Sequence, residues 1–129
     1  MRHVRNILFA AAAGLAVSVS GALADDPYTA AELLAPCMEA DNDARWGEYA
    51  ETECEQYIIG YIGALEVTGM TGQDHNVCLP DQNRADEVRW AFMRWINEDY
   101  SRRNLTAADA MMSTLKAKFA CGGGQAGMQ

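Results

Sequence analysis

Four cysteines constrain this chain more than any other feature. Cys37, Cys54, Cys78 and Cys121 all lie beyond a leading segment that has the layout of a secretory signal. Met1 to Asn6 carries Arg2, His3 and Arg5 and no acid. Ile7 to Val19 is apolar but for Gly14 and Ser18. Ser20-Gly21-Ala22-Leu23-Ala24 then ends in Ala-x-Ala, directly before Asp25-Asp26. A charged start, an apolar run and a small-residue end are what an export signal requires. The run is shorter than the ~20 apolar residues of a spanning helix. No Cys follows Ala24, which removes the lipoprotein-anchor reading. Residues 1–24 are therefore read as a signal peptide and the mature chain as starting near Asp25, in the periplasm or beyond the cell.

An even Cys count in an exported chain reads as two disulfides. There is no Cys-x-x-Cys pair, and His75 is the only histidine past residue 24, so zinc, haem and redox readings have little to stand on. Four cysteines allow three pairings. We favour Cys37–Cys54, which would tie neighbouring helices, and Cys78–Cys121, which would close a long loop and anchor the chain end. Each staple would contribute roughly 3–4 kcal/mol on the loop-entropy account. A domain of this size gains from such help, because its core is small.

The rest of the chain reads as helices. Thr29-Ala30-Ala31-Glu32 has the form of a capping box and opens a helix to about Ala40 with Leu33, Leu34, Cys37 and Met38 on one face. Pro36 should kink or divide it. The second helix, about Tyr49 to Thr68, repeats Ala50, Cys54, Tyr57, Ile58, Tyr61, Ile62 and Leu65 at helical spacing. Glu48, Glu51, Glu53 and Glu55 crowd its start, where the helix dipole favours acids. Gly60 and Gly63 cost propensity and should mark the close approach of another element. Gly69 to Asn76 reads as a flexible polar loop. A third helix, about Asp81 to Glu98, puts Val88, Ala91, Phe92, Trp95 and Ile96 inward, with Arg84, Arg89 and Arg94 facing elsewhere and Trp90 partly exposed. The polar stretch Asn97 to Asn104 follows. Thr106-Ala107-Ala108-Asp109 opens a fourth helix that buries Met111, Met112, Leu115 and Phe119 and ends at Cys121. Residues 122–129 form a Gly-rich tail. The expected fold is all-α: four helices, or five if Pro36 divides the first, stapled by disulfides as one domain over 25–121.

Charge limits the partners. Without residues 1–24 the chain has 8 Lys and Arg against 18 Asp and Glu, a net −10. Such a surface repels nucleic acid and anionic lipid and suits a basic protein. No Gly-x-Ser-x-Gly or phosphate-cradling loop occurs, and a lone His in a Gly-rich loop does not make a triad. We expect no enzyme, no metal and no cofactor.

Ordered fragments of this pattern are similar to a known family. Cys54-Glu55-Gln56-Tyr57-Ile58-Ile59-Gly60 resembles a Cys-x-x-Tyr-Ile-x-Gly helix start in the Rap/Tai immunity proteins of type VI secretion. Val77-Cys78-Leu79-Pro80 resembles their Phe-Cys-x-Pro segment, with Val for Phe. Trp95-Ile96 precedes the stretch where that family has His-Pro-Glu, which is missing here. Ala107 to Cys121 resembles their last helix, with Ala120 where Pro is usual. The resemblance covers about residues 37–121. It implies a helical, disulfide-bonded periplasmic domain, often dimeric, that blocks a peptidoglycan amidase by inserting a loop into its active-site groove. Candidate contact residues are Gln73, Asp74, His75 and Asn76 on one exposed stretch, and Asp99, Tyr100, Arg102 and Arg103 on another. The alternative is an acid-stress chaperone of the HdeA type, which is also small, helical and disulfide-bonded and would expand as its carboxylates protonate.

Overall fold

A computed structural model describes residues 27–40 and 47–122. The signal segment, Asp41-Asn42-Asp43 and the tail beyond Gly122 lie outside the described residues. Four helices form: α1 (Ala30–Glu39), α2 (Gly47–Val67), α3 (Arg84–Glu98) and α4 (Ala107–Lys118). Among the described residues there is no strand.

Threonine caps start α1 and α4. The Thr29 hydroxyl accepts from the Glu32 amide at 3.3 Å, and the Glu32 carboxylate accepts from the Thr29 amide at 2.7 Å, a complete capping box. The Thr29 amide, and after it the Thr29 hydroxyl donating to the same carboxylate at 2.7 Å, hold the Glu32 carboxyl below its ordinary pKa. The Thr106 hydroxyl accepts from the Asp109 amide at 3.1 Å. The two helix starts are laced together, since Ala30 N donates to Leu105 O and Ala107 N to Tyr28 O, both at 2.8 Å.

Pro36 does not divide α1. The helix runs through it, Ala40 N donates back to Pro36 O at 3.1 Å, and the buried ring becomes part of the packed face. Tertiary packing here outweighs the hydrogen bond that proline forfeits. Met38, expected inside, is 43% exposed, because the contact face of α1 narrows to Ala30, Leu33, Leu34, Pro36 and Cys37. α2 begins at Gly47, against the end of α1: a Cβ there would meet Ala40 O at 3.0 Å. Gly60 and Gly63 reverse the expectation, having nothing within 4 Å of an added Cβ, so they face outward. α3 starts at Arg84 rather than Asp81, because Asn83 is left-handed at φ 49° and Arg84 Nε donates back to Pro80 O at 2.7 Å. α4 stops at Lys118, short of Cys121, where Phe119 O turns to accept from Cys78 N at 2.8 Å.

The core gathers Leu33, Ile58, Val88, Phe92, Ile96, Met111 and Leu115 from all four helices. Both expected disulfides are present, Cys37–Cys54 and Cys78–Cys121. The first is fully buried between α1 and α2, whereas the second lies at the surface, with Cys78 exposed. Trp95 was expected in the core and is only half-buried, covered by the Arg102 guanidinium at 4.2 Å from its ring. Arg89 was expected to face away and is 6% exposed, its Nη2 3.4 Å from the Asp86 carboxylate. Trp90 is half-exposed, as expected.

Candidate partner-binding surfaces

The first candidate stretch is a built turn rather than a flexible loop. Gly72 and Val77 exchange backbone hydrogen bonds at 2.6 and 3.2 Å, closing a short 3-10 helix over Gln73–His75. Gly72 takes φ 90°, which glycine alone adopts cheaply, and Asn76 ends the turn in the left-handed region at φ 54°. The Asn76 side chain accepts from the Cys121 amide at 3.0 Å. Cys78, two residues on, is bonded to Cys121. The turn is thus tied twice to Cys121, just beyond α4. Gln73, Asp74 and His75 stand exposed on it, while the Asn76 amide is committed to holding it.

The second stretch is a 3-10 helix over Tyr100–Asn104 between α3 and α4. Asp99 caps it, accepting from the Ser101 hydroxyl at 2.8 Å and its amide at 2.9 Å; those bonds hold its carboxyl below the ordinary range. Arg102 lies over Trp95 and donates to Trp95 O at 2.5 Å and to Glu98 Oε2 at 3.1 Å. Glu98 Oε1 also accepts from Lys118 Nζ at 2.8 Å, so one carboxylate joins α3, this segment and α4. Arg103 donates to Asn97 Oδ1 at 2.8 Å and lies over the Tyr100 ring at 4.8 Å. Both arginines are occupied within the fold, and Tyr100, 76% exposed, is the side chain this segment presents. Among the described residues no hydrogen bond or ion pair links the two stretches.

A third feature escaped the sequence reading. α1 and α2 carry seven Glu and no Lys or Arg, whereas every described Lys and Arg lies between Arg84 and Lys118. The acidic half also carries a tyrosine row, with Tyr28 and Tyr57 5.8 Å apart and Tyr57 and Tyr61 stacked at 6.2 Å. Tyr61 donates to Ala108 O at 2.9 Å and Tyr28 to Glu53 Oε1 at 3.2 Å. Burial, with the Glu53 carboxylate beside it, pushes the Tyr28 hydroxyl up to about 12. Spacing showed α2 to be acidic only at its start. That α1 adds to the same acidic side follows from packing.

Among the described residues no three His, Cys, Asp or Glu are grouped to hold a metal ion. His75 stands exposed on its turn. No curated protein and no solved structure matches the chain. One family model does, described as Rap1a immunity proteins, over residues 29–121, from the N-cap of α1 to the last cysteine.

Proposed function

We infer the function of this chain from one premise: it belongs to the Rap1a immunity protein family. We propose that it is exported by residues 1–24 and meets its partner in the periplasm. There it would bind a secreted effector, a peptidoglycan amidase delivered by type VI secretion, and occlude its active site. The observation that carries this reading is the family match across the whole helical frame, Thr29 to Cys121.

Physical features support it. Two disulfides are at home in an oxidising compartment. No helix among the described residues is long and apolar enough to cross a membrane. Occlusion needs a projecting element already held in shape, because ordering a loop on binding costs affinity. The turn at Gln73–His75 meets that need, fixed by the Gly72–Val77 pair, the Asn76 side chain and the Cys78–Cys121 bond. We propose Gln73, Asp74 and His75, with Tyr100 on the second segment, as contact residues. The family resemblance also implies a dimer, which sedimentation at micromolar concentration decides.

The test is to look for a secreted cell-wall hydrolase gene adjacent to this one and to assay inhibition of its purified product. The oxidised mature protein should abolish its release of peptides from purified peptidoglycan near one-to-one stoichiometry. Full hydrolysis in the presence of excess protein would reject the reading.

A further inference from the structure

The acidic half of the molecule contains a groove. It lies between α1 and α2, has a volume of about 570 Å³, and is lined by Ala35, Pro36, Glu39, Tyr49, Ala50 and Glu53. Its base is apolar, from two alanines and the buried proline ring. Its rim holds two carboxylates and the ring of Tyr49, which is 74% exposed. The walls are fixed: Cys37 follows Pro36, Cys54 follows Glu53, and the two cysteines are bonded. Glu53 is further steadied at the mouth by the Tyr28 hydroxyl at 3.2 Å. A site held open in this way needs little reorganisation to accept a ligand.

The lining selects the occupant by charge. An acidic or phosphate-bearing ligand meets two carboxylates on the rim, Glu39 and Glu53. A purely apolar segment would cover those carboxylates without pairing them, which costs free energy. A lysine or arginine satisfies both parts of the site. Its methylene stem lies on apolar surface while its head stays at the wet edge.

We propose that the α1–α2 groove is a docking site for a basic segment of a protein partner, one that presents a Lys or Arg beside an aliphatic side chain. The proposal rests on the immunity reading for the identity of that partner, the effector, but not for the chemistry of the groove. It adds a second contact surface, separate from the turn at Gln73–His75, and uses the charge sorting that the turn leaves unexplained.

Two probes test it: the candidate hydrolase used in the inhibition assay, and the peptide acetyl-Gly-Lys-Leu-Arg-Gly-amide titrated into isotope-labelled mature protein. The peptide should move the amide resonances of Ala35, Tyr49, Ala50 and Glu53, with affinity falling as salt is raised. Glu39→Gln and Glu39→Gln/Glu53→Gln, each checked for an unchanged melting curve, should weaken the peptide and the effector, the double variant by about tenfold or more. Resonance changes spread evenly over Glu48, Glu51 and Glu55, or equal peptide affinity in the variants, would overturn the groove. Tight effector binding that the variants leave unchanged would also overturn it and leave the immunity reading intact. An effector that fails to bind the wild type, with the peptide still seated in the groove, would remove the immunity reading and keep the groove.

Discussion

Consider replacing each disulfide first by two alanines and then by two serines. Breaking Cys37–Cys54, 17 residues apart, releases about 3 kcal/mol of chain entropy to the unfolded state, and breaking Cys78–Cys121, 43 apart, about 4 kcal/mol. That ranking places the surface bridge first and ignores burial. The contrast between serine and alanine isolates burial, because both lack the cross-link and the entropy term cancels. At positions 37 and 54, both fully buried, two hydroxyls enter the core. A buried unpaired hydroxyl costs about 1–3 kcal/mol, lessened in a helix where it can bond the carbonyl four residues back. The serine pair should therefore lie about 2 kcal/mol below the alanine pair. At 78 and 121, exposed and half-buried, the two pairs should agree within about 0.5 kcal/mol. Urea unfolding followed by circular dichroism, with unchanged m-values, measures this, and 2 kcal/mol in a domain of this length also shifts Tm by roughly 8–16 °C. Equal serine-to-alanine differences at both bridges would refute the assignment of one to the core and one to the surface.

Gly60→Ala should stabilise the protein by about 0.5–1 kcal/mol, since an added Cβ meets nothing within 4 Å, and a thermal melt that drops instead would show that something packs on that face. Phe92→Ala, which empties a fully buried site, should cost about 3–5 kcal/mol in urea unfolding. Lys118 first, then Arg102, hold the Glu98 carboxyl below its ordinary pKa. Its contribution is therefore complete above the unfolded carboxylate value of about 4.3 and is lost as pH falls through the lower folded value. Glu98→Gln should be less stable than wild type at pH 6, and the gap should close on acidification; a constant gap would contradict the ion-pair account.

The helices were legible because their apolar spacing is regular: Ile58, Ile62 and Leu65 on α2, Val88, Phe92 and Ile96 on α3, Met111 and Leu115 on α4 all point inward. Both threonine caps were legible for the same local reason, since a cap involves residues three apart. Properties of the assembled surface were harder to read. Polarity could not tell that Arg89 is covered while Arg94 is exposed, nor that Gly60 and Gly63 face outward, because those depend on which side of a helix its neighbours occupy. The stretch at Gly69–Asn76 read as flexible from composition. It is held by the Gly72–Val77 pair and by a partner far along the chain, the Cys121 amide on the Asn76 side chain. The groove lies between two helices, and neither sequence segment contains it alone.

Protection of growing cells tests the central claim most directly. A candidate peptidoglycan amidase effector that binds the purified protein would be directed to the periplasm of a host that also expresses either the full chain or residues 25–129 without the leader. The account predicts that the full chain restores growth, that the leaderless form does not, and that Cys37→Ala/Cys54→Ala weakens rescue along with stability. Lysis that continues at the same rate with the full chain folded and exported would contradict it.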